Sequence, residues 1–272
     1  CVLGGVFVWG APARCPAPRP AAGAGGRSLR RPAPALLAVW ALASTAITGI
    51  VSPWQTALAL ATLAQGTVLW SALAQTLLST SVGLAIAVAV AVPLGMLVGV
   101  SGFAHASSRF LLDFVSAIPA VCFLPLGLLM FGPTLPMKLL LIGYGACWPL
   151  LNRTTDAIRE VDPLQHDVLD GFGIGRRFRW LKVYLPASLP GILVGVRVAL
   201  TLSLLLSIAS EYVGGAAGLG GELISAQQAG RGDDVQALAI ATAFLGVALN
   251  LVMRAVERAL ISWHPSVRRR SA

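Results

Sequence analysis

The sequence is short of charge. Of its 272 residues, 20 are Lys or Arg and 11 are Asp or Glu, and residues 32–108 contain none of the four. A soluble domain carries roughly 25% charged residues; this chain carries 11%. So few charges could not cover a water-soluble globule of this length. Disorder is excluded from the opposite side, because 56% of the residues are apolar and such a chain buries too much surface to stay unfolded. Cysteine pairing is also missing. Cys1, Cys15, Cys122 and Cys147 show no CxxC spacing, so neither a disulfide framework nor a metal knot is indicated. There is no GxxxxGK[ST] run to cradle nucleotide phosphates. Gly171, Gly173 and Gly175 imitate one loosely, without a preceding strand or a closing Lys-Ser/Thr. His105, His166 and His264 are far apart and lack metal-ligating neighbours. No catalytic residue, cofactor or metal is expected, and the chain is not expected to be an enzyme.

What is present fits lipid as the solvent. Mean hydropathy is +0.79, and the apolar runs are continuous, not alternating, which favours helices over a barrel. The predicted class is all-α, a polytopic membrane protein with about six transmembrane helices. The spans are placed at residues 35–51, 72–100, 111–131, 139–151, 189–210 and 235–253. Residues 1–34 read as a basic Pro/Ala-rich arm. Residues 35–264 form the transmembrane domain, and residues 265–272 are a basic tail.

The cations between spans are lopsided. The arm holds five, the second loop Arg109, the fourth loop six and the tail five, against none in the first loop, Lys138 in the third and Arg231 in the fifth. Seventeen in alternate segments against two predicts cytoplasmic termini in a multi-pass protein of the cell membrane. A net charge of +9 is thereby explained without nucleic acid. Gly95 with Gly99, and Gly191 with Gly195, are small-residue pairs that allow close helix packing.

The fourth loop, residues 153–187, is patterned. Asp162-Pro163 is a helix start. Leu164, Val168, Leu169 and Phe172 share a face opposite His166, Asp167 and Asp170. Gly171 and Gly173 break the segment. A second short helix follows, with Phe178, Leu181 and Leu185 in register and Leu185-Pro186 as its expected end. From the residues alone, two readings stand: a helix pair lying on membrane lipid headgroups, or a docking element for a soluble partner.

The run from Asp167 to Pro186 resembles the EAA loop of ABC transporter permeases. Asp167 stands at the Glu position, Val168 and Leu169 at the two Ala positions, Gly173 at the Gly, Val183 at the Ile, and Leu185-Pro186 at the Leu-Pro. The triplet departs from the pattern: Asp is one methylene shorter than Glu, and both alanines are larger here. The segment from Leu185 to Leu200, Glu211 followed by Gly218-Leu219-Gly220, Ile118-Pro119, Leu124-Pro125-Leu126 and Trp263-His264 are similar to importers for nitrate, sulfonate and taurine. The resemblance covers about residues 65–264. It implies a type I importer permease fold, working as a homodimer with two ATPase subunits and an extracytoplasmic solute-binding protein. It also implies alternating access driven by the separate ATPase. Asp167, Val168, Leu169, Gly173, Val183, Leu185 and Pro186 would form the ATPase-docking loop. A small anion is the cargo implied, with a thiamine-type precursor or another small metabolite as the alternative. An ATPase-independent secondary transporter is a further alternative, but the internal repeat it should show is not found.

Glu211, Arg197, Gly218, Gly220 and Pro119 are candidates for the pathway or a gate. A carboxylate in a span needs a partner cation or a wet cavity, and Glu211 is expected to hold a gate or a cation such as Arg197. On one helix those two would lie 14 positions apart, about 21 Å, so any pairing must involve another span.

Overall fold

The computed structural model describes residues 39–42, 44, 51–161, 171 and 175–261. The N-terminal arm, most of the first expected span, the tail, and the docking candidates Asp167, Val168, Leu169 and Gly173 lie outside the described residues. Within them, all regular structure is helical.

Helix α1 spans Pro53–Gln65. The sequence leaves residues 52–71 as a loop between the first two spans; a helix begins there at Pro53, after the non-helical Val51 and Ser52. The Ser52 hydroxyl accepts from the Gln55 N–H, the Gln55 side chain accepts from the Ser52 N–H, and Pro53 takes the first helical position, where its missing N–H costs nothing. Helix α2, Thr67–Val100, is 34 residues long, about 51 Å at 1.5 Å per residue. Its buried face is a row of small residues, including Ser79, Gly83, Ala87, Ala91, Gly95 and Gly99, at helical spacing. A Cβ on Gly95 would lie 2.8 Å from the Leu151 carbonyl oxygen, so the facing backbone comes close enough to exclude a side chain.

The third expected span is broken. Helix α3, Gly102–Ser116, and the stretch Ala120–Phe131 meet at 68°. Pro119 stands at the break and opens a 3-10 turn, Ala120–Phe123, that leads into α4, Leu124–Phe131. Proline removes a donor and biases the residue before it away from helix, and the Tyr144 hydroxyl donates to the Val115 carbonyl beside the break.

Helix α5, Leu135–Arg159, is the centre of the molecule, packed between α2 and the later helix Leu185–Gly214, α7. It is longer than expected and buries Met137, Leu141, Ile142, Ala146 and Leu150 completely. Short α6, Arg176–Arg179, and a π-helical turn, Trp180–Tyr184, run directly into α7, Leu185–Gly214. Leu185-Pro186 therefore begins a helix and does not end one; in a first turn proline is tolerated. Tyr184 is buried with Ile158 and Val161, which fastens the end of the fourth loop to the end of α5. Helices α8, Leu219–Gln228, and α9, Gly232–Leu260, complete the described chain, and α1 lies against α9.

Three described stretches are long and apolar enough to cross a membrane, or four if the bent pair is one span. Helix α5 is not among them. Lys138, Asn152, Arg153 and Asp156 make it more polar than a lipid-facing helix, and its central position explains why that is tolerated: it meets other helices. Outward-facing Phe103, Phe110 and Leu129 are among the most exposed apolar side chains, as lipid contact requires.

Candidate functional site: a buried carboxylate cluster

Glu211 is completely buried near the end of α7. Its partner is Lys138 of α5, with Nζ 2.8 Å from Oε1. Ser207, one turn before Glu211, donates to the same oxygen at 3.2 Å. The other oxygen accepts from the Thr76 hydroxyl of α2 at 2.8 Å and from the Gly220 N–H of α8 at 3.1 Å. Four donors thus surround a carboxylate that has about four acceptor positions. Lys138 also donates to the Ala217 carbonyl. Thr76 in turn accepts from the Leu219 N–H at 2.9 Å, and Ser207 shares a 2.7 Å hydrogen bond with Ser79 of α2. A single cluster therefore joins α2, α5, α7, the loop after α7 and the start of α8.

The glycines that follow are required by this geometry. Gly218 has φ +145°, a region that favours glycine, and a Cβ there would enter the Glu211 carboxyl group. A Cβ on Gly220 would lie 2.7 Å from Glu211 Cβ. The N-terminal turn of α8 is brought onto the carboxylate, where its N–H groups and dipole favour negative charge.

Arg197 is elsewhere. It lies 14 residues before Glu211 on α7 and turns to α9, donating through Nε and Nη2 to Asn250 Oδ1 at 3.1 and 2.8 Å. Glu257 lies 3.6 Å from its Nη1. So the cation at Glu211 is Lys138, and Arg197 has a separate neighbourhood: a cavity of about 280 Å³ lined by Leu200, Thr201, Leu204, Gly246 and Asn250 among others. Pro119 marks the bend described above and belongs to neither cluster. Of the docking candidates, Val183, Leu185 and Pro186 are described, all half-buried. A cavity of about 450 Å³ opens nearby between α3 and the end of α5, with His105, Arg109, Asp113, Asp156 and Arg159 in its wall. Among the described residues, no three of His, Cys, Asp and Glu come together as a metal site.

Sequence reasoning missed Lys138, Thr76 and Ser207. Lys138 was read as a loop cation, although it is the single charge between Asp113 and Arg153 and is followed by Leu-Leu-Leu-Ile. Thr76, Ser79 and Thr80 recur at helical spacing in an apolar run, which is a detectable signal of a polar contact inside a span.

A family model for the binding-protein-dependent transport system inner membrane component matches residues 91–263. The chain belongs to that family. The matched residues include α5, the fourth loop, α7 and both partners of the buried ion pair. Among its relatives, a putative aliphatic sulfonates transport permease of Bacillus subtilis is 28% identical over 64% of this chain and 64% of its own length. A nitrate import permease of Leptolyngbya laminosa is 26% identical over 66% of this chain and 65% of its own. The chain thus spans a little under two thirds of each. The methionine ABC transporter MetNI, solved in inward-facing conformations, gives a TM-score of 0.61 at 19% identity, covering 73% of this chain and 95% of that one. That likeness shows a type I importer permease fold for this inner membrane component.

Proposed function

We propose that the chain is the membrane-spanning permease subunit of a bacterial ABC importer and moves a small anion by alternating access. The observation that carries this reading is the family match over residues 91–263. In this reading two permease copies work with two ATPase subunits and an extracytoplasmic solute-binding protein, and the termini are cytoplasmic. ATP binding closes the ATPase pair, and the docked loop, residues 153–187, passes the motion to the spans. The π-turn and the buried Tyr184 support that role, because they leave no slack between the loop and α7. Relatives named for sulfonates and for nitrate support an anionic cargo, since both are small oxyanions.

Glu211 serves a gate and not the cargo. A bare carboxylate would repel an anion, whereas this one is neutralised and closed off by Lys138. The cluster fastens the end of α7 to α2, α5 and the turn into α8, so these four move as one piece. With the termini cytoplasmic, this end of α7 is extracytoplasmic, where an outer gate must open and shut.

The test is purification of the tagged chain from its native membrane, with uptake of labelled nitrate and ethanesulfonate in a strain lacking it. Co-purification of a subunit with a GxxxxGK[ST] motif, and loss of uptake of one anion, are expected. Uptake that survives without ATP would favour a secondary transporter and reject the proposal.

A further inference from the structure

We infer that Arg197 is a transient contact for the anionic headgroup of the cargo, and that Glu257 competes with the cargo for the same guanidinium. This rests on the anion-importer reading above.

Arg197 lies 12 residues after the start of α7 and 17 before its end, roughly 18 Å and 25 Å from them at 1.5 Å per residue. A cation at that depth is costly and marks a site or a partner. The partner found is only half adequate. Asn250 orients the guanidinium by taking two N–H bonds on one neutral oxygen, which fixes its plane without cancelling its charge. Glu257 Oε2, at 3.6 Å, is outside hydrogen-bond distance. Glu257 Oε1 is buried with no hydrogen-bond partner among the described residues. A guanidinium has five N–H donors, so three remain for another ligand.

The space beside it suits one. Arg197 borders the cavity of about 280 Å³, whose other walls are mostly apolar: Leu200, Leu204, Ala243, Gly246 and Val247. The Arg197 side chain keeps 34% of its exposure and Glu257 keeps 21%, so both can be reached. A planar guanidinium matches two oxygens of one oxyanion, and apolar walls strengthen the attraction by excluding water. A site with a built-in competitor is also easy to leave. As Glu257 closes the last few tenths of an ångström onto Nη1, the anion loses its counter-charge.

The test uses the full chain in lipid nanodiscs, with methanesulfonate and nitrate as probes at tens of millimolar and fixed ionic strength. Thermal unfolding reads binding. Both anions should raise the unfolding midpoint of the wild type, and Arg197→Met should abolish the rise. Arg197→Lys should keep only part of it, because the charge survives and the fork does not. Glu257→Gln should tighten apparent binding about two- to five-fold, the strength of a half-exposed ion pair, and this variant keeps the proposal falsifiable if Arg197→Met does not fold. No rise in the wild type, an equal rise in Arg197→Met, or weaker binding in Glu257→Gln would overturn it. So would full ATP-dependent uptake by Arg197→Met at normal membrane abundance, a result that leaves the importer reading standing.

Discussion

Glu211 and Lys138 are 73 residues apart in the chain and 2.8 Å apart in the fold, and between them they close the junction of α2, α5, α7 and α8. A pair this deeply buried is asymmetric in its energetics. Removing one partner leaves an uncompensated charge and costs about 3–5 kcal/mol, while replacing both by apolar groups can be nearly neutral. Lys138→Met and Glu211→Ala should therefore each lower membrane abundance and the unfolding midpoint sharply. The double variant should recover much of the loss. Thermal unfolding of the three purified variants checks this, and a double variant as damaged as the sum of the singles would contradict it.

Glu211→Gln separates gating from folding. The amide keeps the shape and one acceptor oxygen but leaves Lys138 without its counter-charge, so abundance should fall less than in Glu211→Ala while uptake per inserted copy falls further. Uptake and abundance measured on the same cells decide it. Unchanged uptake would leave Glu211 with a structural role only.

Gly218→Ala adds one methyl group where φ is +145° and the Glu211 carboxyl already stands. A strained backbone of that kind costs on the order of 1–3 kcal/mol before the collision is counted. The variant should unfold at lower temperature than Gly215→Ala, whose added Cβ meets nothing within 4 Å although its φ is also positive, at +66°.

Much of this was legible in the sequence, for identifiable reasons. Long apolar runs gave α2, α7 and α9 because lipid-facing helices must be apolar throughout. Pro119 stood out as a proline within an apolar run, and the chain bends there by 68°. Helix α1 was not anticipated in the first loop, since a Ser-Pro dipeptide that ends one helix can also cap the next. Helix α5 was placed too short because its polar residues look like loop residues until its neighbours are known. Lys138 was misread for the same reason: a lone cation reads as a loop anchor unless the carboxylate facing it from another helix is in view. Arg197 and Glu211 both stood out as charges in an apolar span, but a partner 73 residues away is a property of the fold and not of any local pattern.

The cation bias of the loops predicts the orientation. In a background without native cysteines, single cysteines at Gln55 and Gln228, both exposed, should react with an impermeant thiol reagent added outside intact cells. A cysteine at position 165 should react only after the cells are opened. Labelling of position 165 from outside would invert the topology.

The most direct test of the account is ATP-driven transport by the assembled complex. The chain would be reconstituted in proteoliposomes with the ATPase and binding protein that co-purify with it, and labelled ethanesulfonate or nitrate followed with and without ATP on the ATPase side. The account predicts accumulation that requires both ATP and the binding protein and is lost with Gly173→Val in the docking loop, while ATP hydrolysis continues uncoupled or the ATPase dissociates. Accumulation that proceeds without ATP, or is untouched by Gly173→Val, would contradict it.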